Sequence, residues 1–220
     1  MWTTVTDEGD ICEPTAAPVQ APHMGNLASM VRTSRALAVA VTVTVIAFGS
    51  PAVALELVDH GPTFALGYAH ERKQDMVFPS LGWRWRWGFG EAVDAAAAKL
   101  RTQLTWYVEP MLAAVAGDED TAEFQVVPAI RIEAASPWGR SATPYLEGGI
   151  GLMATGLDDL GLGSNILFSD NVGLGMTFRD SGWSFGYRYR HASHAGIWAE
   201  SNAGLDVHYL TVRYDIRTRP

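Results

Sequence analysis

Gly82-Trp83-Arg84-Trp85-Arg86-Trp87-Gly88-Phe89 alternates without a break: Trp83, Trp85, Trp87 and Phe89 share one parity, Arg84, Arg86 and Gly88 the other. Successive side chains of an extended chain point to opposite faces, so the stretch reads as a β-strand with an aromatic wall on one side and cations on the other. The same two-faced pattern recurs along the chain. Phe124, Val126, Ile130 and Ile132 oppose Glu123, Gln125, Arg131 and Glu133; Val172, Leu174, Met176 and Phe178 oppose Asn171, Gly173, Gly175 and Thr177. Phe185, Tyr187 and Tyr189 oppose Gly186, Arg188 and Arg190; Leu210, Val212, Tyr214 and Ile216 oppose Thr211, Arg213 and Asp215. Turn-forming clusters such as Gly117-Asp118-Glu119-Asp120 and Asp180-Ser181-Gly182 separate the segments. Eight strands are expected, at 57–70, 76–89, 100–115, 122–134, 143–153, 165–178, 183–193 and 204–216. Residues 92–100, with four consecutive alanines, have helical propensity and read as a short helix or a strand extension.

Two all-β architectures accommodate this alternation. A soluble barrel would have to enclose the tryptophan ladder and the tyrosines of strand seven. An antiparallel transmembrane β-barrel turns the faces over: aromatic and aliphatic side chains meet lipid, while Arg84, Arg86, Arg131, Arg188 and Arg190 pair inside with acids such as Glu109 and Glu147. Small eight-stranded barrels have lumens filled by side chains, and buried charges there must be paired. Aromatic residues at both ends of an apolar band are the membrane pattern. The favoured fold is therefore an eight-stranded membrane barrel, with a soluble lipid-binding barrel as its rival.

The N-terminal region supports export. Arg32 and Arg35 precede an apolar run over 36–48, then Gly49-Ser50-Pro51 and an Ala52-Val53-Ala54 cleavage pattern, which together read as a signal peptide over 30–54. Residues 1–29 are patternless and read as an extension ahead of a start at Met30 or Met24; residues 55–220 form the barrel domain. The single cysteine, Cys12, lies outside that domain, so no disulfide or thiol chemistry is expected there. A formal charge of −8 argues against nucleic acid as partner.

Reactive side chains concentrate in His191-Ala192-Ser193-His194-Ala195-Gly196 and Asn202-Ala203-Gly204-Leu205-Asp206. His191 and Ser193 are two apart on a strand and share the parity of Phe185, Tyr187 and Tyr189, the face assigned to lipid. If Ser193 sits opposite Gly204 in the antiparallel pair, His191 sits opposite Asp206, with Cβ atoms ~4.5–5.5 Å apart. Asp206 would orient the imidazole, His191 would take the proton of Ser193, and Gly204 would leave room for substrate. A one-residue slip would turn Asp206 into the lumen. His-x-Ser at a strand end is also a common solvated loop edge, and a non-enzymatic barrel stays open on these residues alone. His60, His70 and His194 show no metal-ligand spacing, and no cofactor or metal is called for.

The segment Arg188-Tyr189-Arg190-His191-Ala192-Ser193-His194-Ala195-Gly196-Ile197, followed by Asn202 and Gly204, resembles the C-terminal motif of the PagL-type lipid A 3-O-deacylases. Pro144-Tyr145-Leu146-Glu147-Gly148-Gly149-Ile150-Gly151 and the glycine-spaced sixth strand are similar to that family too. The resemblance extends over the mature chain as architecture and is sharp over its C-terminal half. It implies an eight-stranded outer-membrane barrel that removes the ester-linked acyl chain at the 3-position of lipid A without a metal, at a site on its lipid-facing wall. Carried over, it implies Ser193 as nucleophile, His191 as general base and Asp206 in place of the family's usual glutamate. Asn202 and the Gly196 backbone N–H would stabilise the oxyanion. Where the family has Asn after the serine this chain has His194, and its loop from Gly196 to Asn202 is a residue longer. Lipid A and the surrounding lipids are the implied partners, a homodimer is an assembly open to such a barrel, and Arg190 is expected to meet lipid A phosphates.

Overall fold

The computed structural model describes residues 56–71, 74–117, 120–134, 141–157, 162–197 and 203–218. The expected extension and signal peptide, and the expected oxyanion residue Asn202, lie outside the described residues. Within them the chain forms β1 (Leu57–Glu71), β2 (Gln74–Gly88), α1 (Glu91–Lys99), β3 (Thr102–Val115), β4 (Thr121–Ala134), β5 (Ala142–Thr155), β6 (Ile166–Phe178), β7 (Trp183–Ser193), β8 (Leu205–Tyr214) and the two-residue β9 (Ile216–Arg217). Each long strand pairs antiparallel with the next, and β1 pairs with both β2 and β8, so the sheet closes into an eight-stranded barrel. Strand edges fall within two residues of those expected from alternation, and the short helix is present. The eighth strand is interrupted at Asp215 and continues as β9, which pairs with Asp59 and His60 of β1.

Proline placement explains two gaps in the ladders. Pairing of β2 with β3 skips Pro110, and pairing of β4 with β5 skips Val127 and Pro128. A proline has no N–H to donate. At the second gap the strands approach so closely that a Cβ on Gly149 would lie 2.2 Å from the Pro128 carbonyl oxygen.

The faces divide as the alternation requires. Phe64, Leu66, Leu81, Leu112, Ile130, Leu146, Val172, Leu174 and Leu210 are exposed on the outer wall. Trp87 stacks on Trp106 and Trp183 tilts against Tyr214, at ring-centroid distances of 4.5 and 5.0 Å, at the barrel end where β1 starts and β8 stops. Toward that same end the lumen is ionic. Among the described residues six arginines (Arg84, Arg86, Arg131, Arg188, Arg190, Arg213) and six acids (Asp59, Glu109, Glu123, Glu133, Glu147, Asp215) are buried, so the interior charge balances. Glu147 is the hub: Arg84 and Arg188 each approach it at 3.0 Å, Arg131 at 3.6 Å and Arg213 at 3.9 Å. Glu109 joins Arg84 at 2.7 Å and Arg188 at 2.6 Å. Arg86 bonds Asp59 and approaches Glu133 at 3.1 Å.

At the opposite end the lumen becomes mainly apolar, around the single Arg190–Glu123 ion pair. Ala69, Met76, Phe78, Met111, Val115, Met153, Leu167, Ala192, Leu205, Val207 and Tyr209 form one buried cluster there. Side chains thus fill the lumen from its middle to this end, while the mouth where β1 starts keeps a cavity of about 350 Å³ lined by Asp59, Arg86, Glu133 and Asp215. Its one described helix, α1, has nine residues, and no described helix is long and apolar enough to cross a membrane.

Candidate active site on the outer wall

The β7–β8 seam brings the candidate site residues together. Its register pairs His191 with Asp206 and Ala192 with Leu205, so the next step along the two strands brings Ser193 to the position facing Gly204. Asp206 points outward, not into the lumen, and its Oδ1 lies 2.6 Å from His191 Nδ1. The two side chains keep 40% and 45% of their surface exposed, whereas the lumenal Arg–acid pairs keep at most 7%. This acid–imidazole pair is therefore reachable from outside the barrel.

Backbone geometry sets where the ring goes. Gly204 has φ +73°, and a Cβ there would stand 2.9 Å from His191 Cε1 and 3.6 Å from Nε2. With Nδ1 committed to Asp206, the Cε1–Nε2 edge of the imidazole hangs over Gly204, toward the register position of Ser193. The space above Gly204, expected to receive substrate, is thus used by the histidine itself. No residue with a Cβ would fit without displacing the ring.

Ser193 ends β7, and the chain turns at once. Ala195 and Gly196 both have positive φ, 53° and 73°, and Ile197 N–H donates to the His194 carbonyl at 3.0 Å. Positive φ at both central positions is the signature of a type I′ turn. Gly196 is exposed at its tip, and His194 turns its side chain into the interior. Across the other edge of β7, Phe168 pairs with Ser193 and the exposed Asp170 pairs with His191.

Two features escaped the sequence reading. Tyr189 Oη donates to Asp206 Oδ1 at 2.8 Å, so one carboxylate oxygen accepts from both tyrosine and histidine. Its parity with His191 was visible, but the partner was not. Tyr187 Oη lies 2.5 Å from His208 Nδ1, and the His208 ring tilts against Tyr189 with centroids 5.5 Å apart. Of the two readings given for Arg190, pairing inside the barrel holds and contact with lipid A phosphates does not. Arg190 is buried in the lumen, 2.8 Å from Glu123, because its parity is that of the inward face. Among the described residues no group of three His, Cys, Asp or Glu side chains converges to hold a metal ion.

Comparison with known proteins follows the same line. Residues 78–215 match the family model described as lipid A 3-O-deacylase (PagL). The chain is 40% identical over 80 residues to the lipid A deacylase PagL of Bordetella bronchiseptica, covering 35% of this chain and 44% of that protein. It is 37% identical over 81 residues to the PagL of Pseudomonas aeruginosa, covering 36% and 46%. These alignments span just under half the length of each relative. Among solved structures the outer membrane enzyme PagL superposes with a TM-score of 0.52 at 24% identity, covering 70% of this chain and 99% of that one. Neisserial surface protein A superposes with a TM-score of 0.54 at 13% identity, covering 75% and 99%. Both likenesses are of fold. With the family match spanning seven of the eight long strands wholly or in part, the chain belongs to the lipid A 3-O-deacylase (PagL) family and is an eight-stranded barrel of the outer membrane.

Proposed function

We propose that this barrel is a serine esterase that hydrolyses the ester-linked acyl chain at the 3-position of lipid A. The observation that carries the reading is the outward-facing His191–Asp206 pair at 2.6 Å, its free ring edge suspended over Gly204 beside Ser193. In this reading Ser193 Oγ attacks the ester carbonyl carbon while His191 Nε2 takes its proton. Asp206 holds the ring and stabilises the imidazolium. The tetrahedral oxyanion is met by the Gly196 N–H and Asn202; such donors contribute about 10²–10³ in rate where removal has been measured. Collapse breaks the ester bond, and His191 returns the proton to the departing 3-hydroxyl. Water, deprotonated by His191, then cleaves the acyl-enzyme and releases a hydroxy fatty acid and free Ser193.

The position of the site suits a membrane-held substrate. Acyl chains lie within the bilayer, the lumen beside the site is packed, and the reactive groups stand on the outer wall. The site also lies at the barrel end away from the start of β1 and the end of β8, which places it toward the outer leaflet when those strand ends face the periplasm. The Ala52-Val53-Ala54 pattern supports removal of the preceding residues on export.

The test is mass spectrometry of lipid A after incubation with the refolded barrel, beside Ser193→Ala. The expected result is loss of one ester-linked hydroxyacyl chain with the wild type and none with the variant, both barrels keeping heat-modifiable gel mobility. Intact lipid A in the presence of a folded wild-type barrel would overturn the reading in favour of a non-enzymatic barrel.

A further inference from the structure

We infer that Tyr189 is a positioning residue of this site, acting through Asp206 to fix the carboxylate oxygen that holds His191; the inference rests on the serine-esterase reading. Tyr189 Oη and His191 Nδ1 meet the same atom, Asp206 Oδ1, at 2.8 and 2.6 Å. An aspartate on an exposed strand end has freely turning side-chain torsions, and a single bond from histidine leaves the carboxylate able to rotate with the ring. A second donor from two residue pairs further down the seam removes that freedom. The tyrosine is held in turn. His208 packs against its ring at 5.5 Å, and Tyr187 Oη fixes His208 Nδ1 at 2.5 Å. Tyr187, His208, Tyr189, Asp206 and His191 thus form a continuous series of supports along β7 and β8, ending at the imidazole.

The molecule contains its own control. On β1 and β2, Tyr68 Oη donates to Asp75 Oδ1 at 2.7 Å and His70 Nδ1 meets the same oxygen at 2.7 Å, with His70 and Asp75 directly paired. A Tyr-x-His strand facing an aspartate on its neighbour therefore closes into this three-group arrangement wherever register allows. Position 72, two beyond His70, is arginine, so this second copy has no hydroxyl at the position equivalent to Ser193. What separates the β7–β8 copy is the presence of a nucleophile and of Gly204 beneath the ring.

The experiment measures kcat and KM for lipid A deacylation by the refolded full-length barrel, comparing wild type with Tyr189→Phe, Asp206→Asn, their double variant, Tyr68→Phe and Ser193→Ala. Phe keeps the ring against His208 and removes only the hydroxyl. Loss of one hydrogen bond that orients the reacting groups is expected to lower kcat about tenfold. KM should stay within about twofold, because a group that acts only in the reacting state leaves ground-state binding alone. On the Asp206→Asn background Tyr189→Phe should add nothing, since coupled residues are not additive, and Tyr68→Phe should behave as wild type. An unchanged kcat in Tyr189→Phe, a full further loss on top of Asp206→Asn, or a raised KM at constant kcat would each overturn the assignment. A wild type that leaves lipid A intact, or a Ser193→Ala barrel as active as wild type, would instead overturn the esterase reading beneath it.

Discussion

Gly204 shows how one residue can decide the site. Its φ of +73° lies in the left-handed region, and the volume a Cβ would take is already within 2.9 Å of His191 Cε1. Gly204→Ala therefore carries two penalties: about 1–2 kcal/mol for an L-residue in that conformation, and displacement of the imidazole from Asp206. A misplacement of about 1 Å can cost 10²-fold in rate, so kcat for deacylation is expected to fall about 10- to 100-fold while heat-modifiable mobility persists. Steady-state assay of the refolded variant checks this. That Ser193, His191 and Asp206 share the outer face was legible because strand parity is a local property. The purpose of Gly204 was not, since it depends on which rotamer the histidine adopts once Asp206 has claimed Nδ1.

At the scale of elements, β7 and β8 carry the candidate chemistry and the remaining strands hold them in register. Alternation located all eight long strands because each has one lipid face and one lumenal face, and period-two patterning survives wherever the two environments differ. The interruption at Asp215 was not visible, because a break in pairing leaves the side-chain parity intact: Tyr214 and Ile216 keep the spacing of a continuous strand. Helix α1 lies between β2 and β3, at the barrel end opposite the site, with Ala97 buried and Thr102 Oγ1 donating to the Ala97 carbonyl at 3.1 Å. Replacing residues 91–99 by a short turn is expected to leave deacylation within about twofold of wild type, as befits a connection that touches no site residue. Lipid A mass spectrometry and gel mobility of the shortened barrel measure this; a large loss of activity in a folded barrel would show that this connection reaches the site.

For the whole molecule, stability depends on a closed wall around a neutral interior. Ten of the twelve buried charges, all but the separate Arg190–Glu123 pair, form one network drawn from seven of the eight long strands, and Glu147 is approached by arginines from four of them. Removing one member of a buried ionic cluster leaves charge uncompensated and typically costs about 3–5 kcal/mol. Glu147→Ala should therefore lower the urea midpoint for loss of heat-modifiable mobility far more than Glu91→Ala on the exposed face of α1, and it should do so without any direct contact with the site. An unchanged midpoint would mean that lumenal water or counterions replace the carboxylate.

The sequence by itself determined an all-β chain with an apolar outer wall and a charged lumen, and it named the residues that share the outer face at the end of β7. Those properties follow from a two-residue period, which each strand expresses on its own. Only the tertiary structure decided that β8 meets β7 in the register pairing His191 with Asp206, that Tyr189 closes on the same carboxylate oxygen, that Arg190 spends its charge on Glu123 in the lumen, and that Gly204 makes room for a ring. These depend on contacts between residues far apart in the chain. Their register is set jointly by loop length and by closure of the whole barrel, and no single segment encodes it.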